Sequence, residues 1–178
     1  YYASRGLGDV YKRQLHIHIV EGVVEDIIPA GNKKTRNKVI TREFVQKKGK
    51  PFNKFLVRRS VERVYNLGFF DDVNVRMLPG EQDPNNVIIE IDVLEHKTGT
   101  ITLGAGYSKS DGLMGIVEFG EDNLRGTGDK FKVHWEIGGK KKYKNYQISY
   151  LKPWIDSKGT SLGFSFFNRE DEYTDYNE

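Results

Sequence analysis

Two pairs of polar residues have spacings that are compatible with chemistry. His16 and His18 share one face of a predicted strand, where both could bind a metal ion. No further His, Asp or Glu nearby completes such a site, so the polar face of a half-buried strand explains this pair better. Asp71 and Asp72 follow a helix end, which is more typical of a solvated strand start than of a general acid and base.

Other catalytic and cofactor signals are weak in this sequence. Residues 126–130, GTGDK, resemble a phosphate-binding loop only superficially, because the pattern around them predicts a hairpin turn. The sequence contains no G-x-S-x-G, no H-E-x-x-H and no complete P-loop. It also contains no cysteine, which excludes disulfides and thiolate chemistry. We therefore expect no enzyme activity, no metal site and no cofactor.

Residues 1–14 do not fit the pattern of the rest of the chain. LGDVYKRQ resembles a translated library-adaptor sequence, so we exclude Tyr1–Gln14 from the fold; a natural disordered terminus is the alternative. These residues carry three basic side chains against one acid, and without them the net charge falls from +3 to +1. The basic balance of the chain therefore comes mostly from this segment.

The next part of the chain alternates between strand and helix patterns. Two strands are predicted first, over Leu15–Val20 and over Val23–Ala30. Two helices follow, one over Arg36–Lys48, capped by Thr35, and one over Lys54–Leu67, capped by Asn53 and ended by Gly68. Two further strands come next, one containing Val73, Val75 and Met77 and the other containing Val87, Ile89, Ile91 and Val93. Val39, Ile40 and Phe44 form the apolar face of the first helix, and Val57, Val61, Val64 and Tyr65 that of the second. From residue 23 onward the order is β-α-α-β-β, which predicts an α+β domain with two helices on a small sheet.

Charge is segregated within this predicted domain. Residues 32–64 contain twelve Lys or Arg against two Glu, whereas residues 71–95 contain seven acids against Arg76. No aromatic side chains interleave the lysines and no recognition motif is present, so we predict no nucleic-acid binding. Solvated helix faces, or a surface that meets an anionic partner or lipid head groups, are better explanations.

From residue 98 the helical period disappears and short strands alternate with glycine-containing turns. Five strands are predicted, the first over Thr100–Ser108 and the third over Lys130–Ile137. One face is rich in aliphatic and aromatic residues, while the other carries glycine and small polar residues. Residues predicted to face lipid are Val117, Phe119, Phe131, Val133, Trp135, Ile137, Tyr146, Ile148, Tyr150, Phe164 and Phe166.

Two architectures are compatible with these alternating strands. A soluble β-sandwich would also turn every ~8–12 residues. Aromatic residues outside and small polar residues inside favour a membrane β-barrel, and each strand is close to the ~9–11 residues that cross a bilayer. Because such barrels need at least ~8 strands, we expect these strands to be an incomplete barrel and the chain to be part of a longer one.

Several short sequence motifs together resemble those of the BamA-type outer-membrane protein assembly factors. They are Gly31-Asn32 followed by residues 38–43 (KVITRE), Leu67-Gly68-Phe69-Phe70 with Val73, residues 95–99, residues 104–107 (GAGY) and residues 122–128 (DNLRGTG). They occur in the order in which the family has them and cover nearly all of the chain after Gln14. Each motif is weak alone, but the ordered set is specific.

This resemblance implies a domain organisation and a location. Residues 15–22 would end one POTRA domain, residues 23–97 would form the last POTRA domain in the periplasm, and residues 98–178 would form the first four to five strands of a barrel in the bacterial outer membrane. The family inserts other β-barrel proteins into that membrane without a nucleotide or cofactor. Its implied partners are outer-membrane lipid, unfolded β-barrel clients and periplasmic lipoprotein subunits, with no residue assigned to the lipoprotein contact.

The resemblance also implies a site on the first barrel strand. This strand would form one side of a lateral gate, where a client strand is added through the backbone edge. The residues concerned are Thr100, Ile101, Thr102, Leu103, Gly104, Ala105, Gly106, Tyr107 and Ser108. Gly104 and Gly106 either weaken the strand for this purpose or only provide twist and room for inward neighbours. The alternatives to insertion are a translocation assembly factor, a two-partner secretion transporter or, from another class, a soluble β-rich binding protein.

Overall fold

Two β-sheets make up the architecture of the chain. A computed structural model describes residues 21–109, 112–139 and 143–169. The predicted strand Leu15–Val20, the pair His16 and His18 and the segment Tyr1–Gln14 lie outside these residues. Among the described helices, none is long and apolar enough to cross a membrane.

The first sheet belongs to an α+β domain. Its elements are β1 (Val24–Ala30), α1 (Asn37–Thr41), α2 (Lys54–Tyr65), β2 (Phe70–Pro79) and β3 (Val87–Glu95). The strand order is β1-β3-β2, with β3 parallel to β1 and antiparallel to β2. The β-α-α-β-β order predicted from the sequence is therefore confirmed.

Packing of the helices against one face of this sheet forms the core. Ile89, Ile91 and Val93 of β3 alternate with more exposed residues and are buried, because a strand turns every second side chain toward the helices. Val57 and Val64 of α2 are buried against them. Asn53 caps α2 as predicted, and its side-chain oxygen accepts from the backbone N–H groups of Phe55 and Leu56.

The prediction for the first helix was wrong in length and in its cap. The helix covers only Asn37–Thr41, its N-cap residue is Arg36, and no side chain caps it. Beyond it, the backbone N–H groups of Val45 and Gln46 donate to the buried hydroxyl of Ser60 on α2. At these two residues, tertiary hydrogen bonds replace the helical ones that the sequence pattern predicts.

Two details of the second helix also differ from the prediction. The helix ends at Tyr65 rather than at Leu67, and Gly68 follows in the left-handed conformation that ends many helices (φ 72°). Tyr65 was placed in the apolar stripe but is more than half exposed, so the buried stripe ends at Val64.

The second sheet is an antiparallel meander of five strands. Its strands are β4 (Gly99–Ser108), β5 (Gly112–Leu124), β6 (Asp129–Gly138), β7 (Tyr143–Lys152) and β8 (Leu162–Asn168), hydrogen-bonded in that order. The number of strands agrees with the prediction. The predicted turns at residues 109–112 and 138–141 lie partly outside the described residues, and β5 continues to Leu124, which was predicted to begin a turn. The fold class, an α+β domain followed by antiparallel barrel-type strands, is confirmed.

The strand register sorts the side chains of this sheet onto two different faces. Val117 of β5 lies opposite Leu103 on one side and Trp135 on the other, and Trp135 lies opposite Tyr146. Opposite residues in antiparallel strands share a face, so the aliphatic and aromatic residues form one continuous apolar surface. The side chain of Leu103 is 75% exposed and that of Trp135 is 46% exposed, so this face presents a large apolar surface.

Candidate functional site

The outer edge of β4 is the first part of the candidate site. Within the described residues β4 is hydrogen-bonded to β5 alone, and residues 99–107 are exposed along their length. An edge strand presents backbone N–H and C=O groups that another strand can pair with. β4 contains Thr100–Ser108, the residues that the family resemblance assigned to a gate strand, and of these Ser108 alone is half-buried. The arrangement is chemically suited to β-augmentation.

The two glycines inside β4 are not required by close packing. A Cβ added to Gly104 would lie 3.7 Å from the Cβ of Ile116, and one added to Gly106 would lie 3.6 Å from the Cε of Met114. Both are ordinary van der Waals distances, so contacts with the described residues do not require glycine at these two positions. Glycine in a strand interior loses more backbone entropy on folding than alanine, which makes β4 intrinsically weaker.

The second sheet, which includes β4, has a polar face on the side opposite its apolar surface. Thr102 lies opposite Glu118, and Glu118 lies opposite His134, with 3.4 Å between the carboxylate and Nδ1 of the imidazole. Gln147 donates to Ser165 at 3.2 Å on the same face. A cavity of about 550 Å³ lies over these strands and is lined mostly by polar and charged side chains. This face is therefore suited to water, whereas the apolar face is not.

Beside the start of β4, the turn between β5 and β6 packs onto the α+β domain. Asn123, which is 1% exposed, donates to the hydroxyl of Thr35 at 2.8 Å and accepts from the backbone N–H of Gly128 at 2.9 Å. The backbone N–H of Arg36 donates to the carbonyl of Gly126 at 2.9 Å. Thr35 was predicted to cap a helix; it instead joins the two sheets.

Gly126 lies directly against the backbone of the α+β domain. Its φ is 73°, and a Cβ there would overlap the carbonyl oxygen of Lys34 and lie 2.7 Å from the carbonyl carbon. Both the left-handed backbone and the contact therefore require glycine. The GTGDK sequence, which superficially resembles a phosphate loop, forms a turn whose Gly126 carbonyl is already bonded to the neighbouring domain.

A network of charged groups surrounds the same contact. The carboxylate of Glu95 accepts from the backbone N–H groups of Lys33 and Lys34 at 2.8 Å each and from that of Thr35 at 2.6 Å. Burial raises the pKa of Glu95, but these hydrogen bonds, with that of the Thr35 side chain, outweigh it and hold the pKa below its ordinary value.

The short linker between the domains is held by a further set of bonds. Lys34 Nζ donates to Thr98 and to Glu121 at 2.9 Å each, and the Thr98 hydroxyl donates to Glu121. Three residues, 96–98, separate β3 from β4. We call the contact between residues 33–36, 95–98 and 121–128 the joint.

Two of the other candidates from the sequence are accounted for by local contacts. Asp71 is exposed and lies 3.2 Å from Nδ1 of His96, and Asp72 accepts from its own strand at Val73 and from Asn74. The joint itself was missed by residue-by-residue reasoning. The sequence nevertheless contained a signal for the joint. Most of the motifs that indicate the family resemblance lie in or beside it, namely residues 31–32, 38–43, 95–99 and 122–128.

Comparisons with known proteins agree with this architecture. The POTRA family model, described as surface antigen variable number repeat, matches residues 22–96, and the Omp85 superfamily domain matches residues 123–178. Outer membrane protein assembly factor BamA of Neisseria meningitidis serogroup B is 32% identical over 156 residues, which is 86% of this chain and 19% of that protein. The chain belongs to the BamA-type family.

Further relatives support this assignment to the BamA-type family. Outer membrane protein assembly factor BamA of Neorickettsia risticii is 33% identical over 138 residues, 78% of this chain and 18% of that protein. The crystal structure of BamA from Haemophilus ducreyi lacking POTRA domains 1–3 superposes with a TM-score of 0.73 at 27% identity, covering 82% of this chain and 27% of that one. The chain thus spans about a fifth of the length of the curated BamA relatives.

Family membership assigns a location to the two domains. This BamA-type protein is in the bacterial outer membrane and its POTRA domain is in the periplasm. The joint therefore lies at the periplasmic end of β5 and β6, because it contacts the POTRA domain directly.

Proposed function

We propose that this BamA-type protein assembles β-barrel proteins and inserts them into the outer membrane, and that β4 receives the client strand. The observation that carries the proposal is that β4, an edge strand among the described residues, lies beside the joint and is separated from β3 of the POTRA domain by three residues. In hydrocarbon an unpaired backbone group costs several kcal/mol, so this edge strongly favours the addition of a strand. The relatives named above are outer membrane protein assembly factors.

In this proposal the energy for insertion comes from the client rather than from a cofactor. A client strand gains main-chain hydrogen bonds when it joins β4, and it gains further ones as its own sheet grows. The glycines in β4 keep its strand pairing weak enough for one partner strand to be exchanged for another. No residue of this mechanism is catalytic, and we propose no enzyme activity.

The partners follow from the same geometry. Lipid is proposed to contact the apolar face that includes Val133, Trp135 and Ile148, because this surface is exposed and lies on one side of the sheet. Unfolded β-barrel proteins are the proposed clients of β4. Periplasmic lipoprotein subunits are the proposed partners of the POTRA domain within an assembly complex.

A reconstitution experiment tests this function. The full-length gene product is placed in liposomes, a urea-denatured client barrel is added, and the folded client is followed by its heat-modifiable migration on a gel. We expect faster folding of the client in the bilayer than in liposomes without the protein. A folded, reconstituted protein that leaves the client unfolded would overturn the proposal, as would a client that is delivered to the liposome interior, since that is export.

A further inference from the structure

A basic cavity lies between the POTRA helices and the turn that joins β7 to β8. Its volume is about 770 Å³, and one wall is made by Trp154 and Ile155 of that turn. Six cationic side chains line it, namely Arg36, Lys38, Arg42, Lys47, Arg63 and Lys152. The acids of its lining are Asp129 and Asp156, so the lining has a clear excess of positive charge.

Most of the negative charge at this cavity is already engaged. Asp129 accepts from the hydroxyl of Tyr150 at 2.8 Å, and Asp156 accepts from the backbone and side chain of Thr160 in its own turn. Glu43 is not part of the lining; its carboxylate pairs with Arg63 at 2.9 Å and lies 3.7 Å from Nε of Arg42. Within the described ranges, the side chains of Lys38 and Lys152 form no ion pair, which leaves them available to an anion.

Arg42 is the most buried cation of the six. Its side chain is 14% exposed, its guanidinium lies 5.5 Å from the centre of the Trp154 ring, and one nitrogen donates to the carbonyl of Thr127 at 3.4 Å. The Nε and Nη2 atoms are buried and have no hydrogen-bond partner among the residues that the structure describes. Nε also lies 3.7 Å from a carboxylate oxygen of Glu43, so this guanidinium adds positive charge from beneath the cavity, and these two buried nitrogens do not open into it.

The strand register sets the position of the cavity relative to the apolar face. Lys152 continues the row of Ile148 and Tyr150 on β7, and Asp129 precedes Phe131 by two residues on the same face of β6. The cavity therefore lies where the apolar face ends, on the periplasmic side next to the POTRA domain. Tryptophan and lysine at such a boundary are typical of the region of lipid head groups.

We propose that this cavity binds the phosphate head group of an anionic phospholipid in the periplasmic leaflet, with the acyl chains lying on the apolar face. The inference rests on the proposed contact of that face with lipid. The shared chemistry is a phosphate ester, and a lipid is favoured over a soluble phosphate because the basic cavity and the apolar face are continuous. Lys38 and Lys152 are the proposed phosphate ligands, and the buried Arg42 adds positive charge from beneath them.

Lipid binding to the full-length protein in nanodiscs tests the proposal. The probes are phosphatidylglycerol, phosphatidylethanolamine and soluble glycerol phosphate, and bound lipid is counted by native mass spectrometry. We expect the wild type to prefer phosphatidylglycerol, and Lys38→Gln with Lys152→Gln to weaken its binding by about fivefold for each lysine removed. The matched control is Lys54→Gln with Lys158→Gln, which removes the same charge from exposed positions outside the cavity and should change nothing.

Each outcome of this experiment either supports or overturns the proposal. No preference for phosphatidylglycerol, or equal binding by the cavity and control variants, overturns it. Glycerol phosphate that displaces the lipid at equal concentration also overturns it, since the ligand is then a soluble phosphate. Client insertion is measured separately, so a protein that binds the lipid without inserting a client contradicts the proposed function and leaves this site standing.

Discussion

Asn123, next to the last residue of β5, donates a 2.8 Å hydrogen bond to the hydroxyl of Thr35, which lies 88 residues earlier in the chain. The bond joins the sheet of barrel-type strands to the POTRA domain, and both residues are buried. With the bond from Arg36 to Gly126 and the short linker, it fixes the POTRA domain beside the start of β4. The position of the proposed client-receiving edge relative to the periplasmic domain therefore depends on a small set of polar contacts.

The first prediction concerns this hydrogen bond. Asn123→Ala should weaken the joint by about 1–3 kcal/mol, because it leaves the Gly128 N–H without its acceptor in a buried place. Thr35→Val should act similarly, while Thr35→Ser keeps the hydroxyl and serves as the matched control. The double variant of Asn123→Ala and Thr35→Val should cost less than the sum of the single changes.

Spin labels provide the measurement for this prediction. The chain has no cysteine, so cysteines introduced at Lys54 and Ser161 give one label on each side of the joint. We expect a narrow distance distribution in the wild type and in Thr35→Ser, and a broad one in Asn123→Ala. Distributions that are equally narrow in all variants would contradict the role assigned to the bond.

The second prediction concerns Gly126, which packs against the backbone of Lys34 in the joint. Gly126→Ala should disrupt the joint, because the added Cβ would overlap the backbone of Lys34 and because the positive φ at this position is unfavourable for alanine. Gly49→Ala is the matched control, since Gly49 has φ 75° and open space around its Cβ position. Both variants should lose about 1–2 kcal/mol of folding stability to the backbone strain alone.

The difference between these two glycine variants is the informative quantity. Urea unfolding followed by tryptophan fluorescence gives their stabilities, and the spin-label distance reports the joint. We expect Gly126→Ala to broaden the distance distribution and Gly49→Ala to leave it narrow. The same distribution in both variants would show that Gly126 matters only for its backbone conformation.

Most of the architecture was predictable from the sequence, whereas the joint was not. Period-two alternation located all five strands of the second sheet and the face on which Trp135 lies, because a half-buried strand repeats locally. Thr35 was misassigned, since a Thr before a helical pattern has the same local signature whether it caps a helix or bonds to Asn123. The first helix was overpredicted for a related reason: the acceptor for Val45 and Gln46 is Ser60, fifteen and fourteen residues away.

A third prediction follows from the lowered pKa of Glu95. The ionised form is favoured in the folded protein, so its contribution to the joint is complete above the ordinary pKa near 4.5 and is lost as the pH falls through the lower, folded-state pKa. We expect the spin-label distance to broaden in acid below about pH 4.5. Glu95→Gln should reduce this acid transition, and the part that stays is expected from Glu121, whose carboxylate also bonds within the joint.

The control for this pH experiment is Asp26→Asn. The pKa of Asp26 is also lowered, by the backbone N–H of Ile27 and by Lys48, but neither partner belongs to the joint. This variant should therefore keep the wild-type acid transition in the spin-label distance. An unchanged transition in Glu95→Gln would show that other groups control the joint in acid.

A fourth prediction concerns the glycines of β4. Gly104→Ala with Gly106→Ala should stabilise β4 by about 0.5–1 kcal/mol for each residue, because both positions have room for a Cβ. We expect slower client insertion in liposomes, since the edge becomes less able to exchange partners. Gly115→Ala on β5 is the matched control, with its nearest neighbour 3.9 Å from the added Cβ. If the insertion rate falls equally in the control, the effect does not depend on the edge strand β4.

Crosslinking between β4 and a client strand tests the central proposal most directly. Single cysteines at Ile101, Leu103 or Ser165 are introduced into the full-length protein, and a single cysteine is moved along one strand of the client. We expect disulfides from Ile101 and Leu103, with a two-residue shift on β4 moving the preferred client position by two, and none from Ser165 on β8. Normal client insertion without any crosslink to β4, or with equal crosslinking to Ser165, would contradict strand addition at this edge.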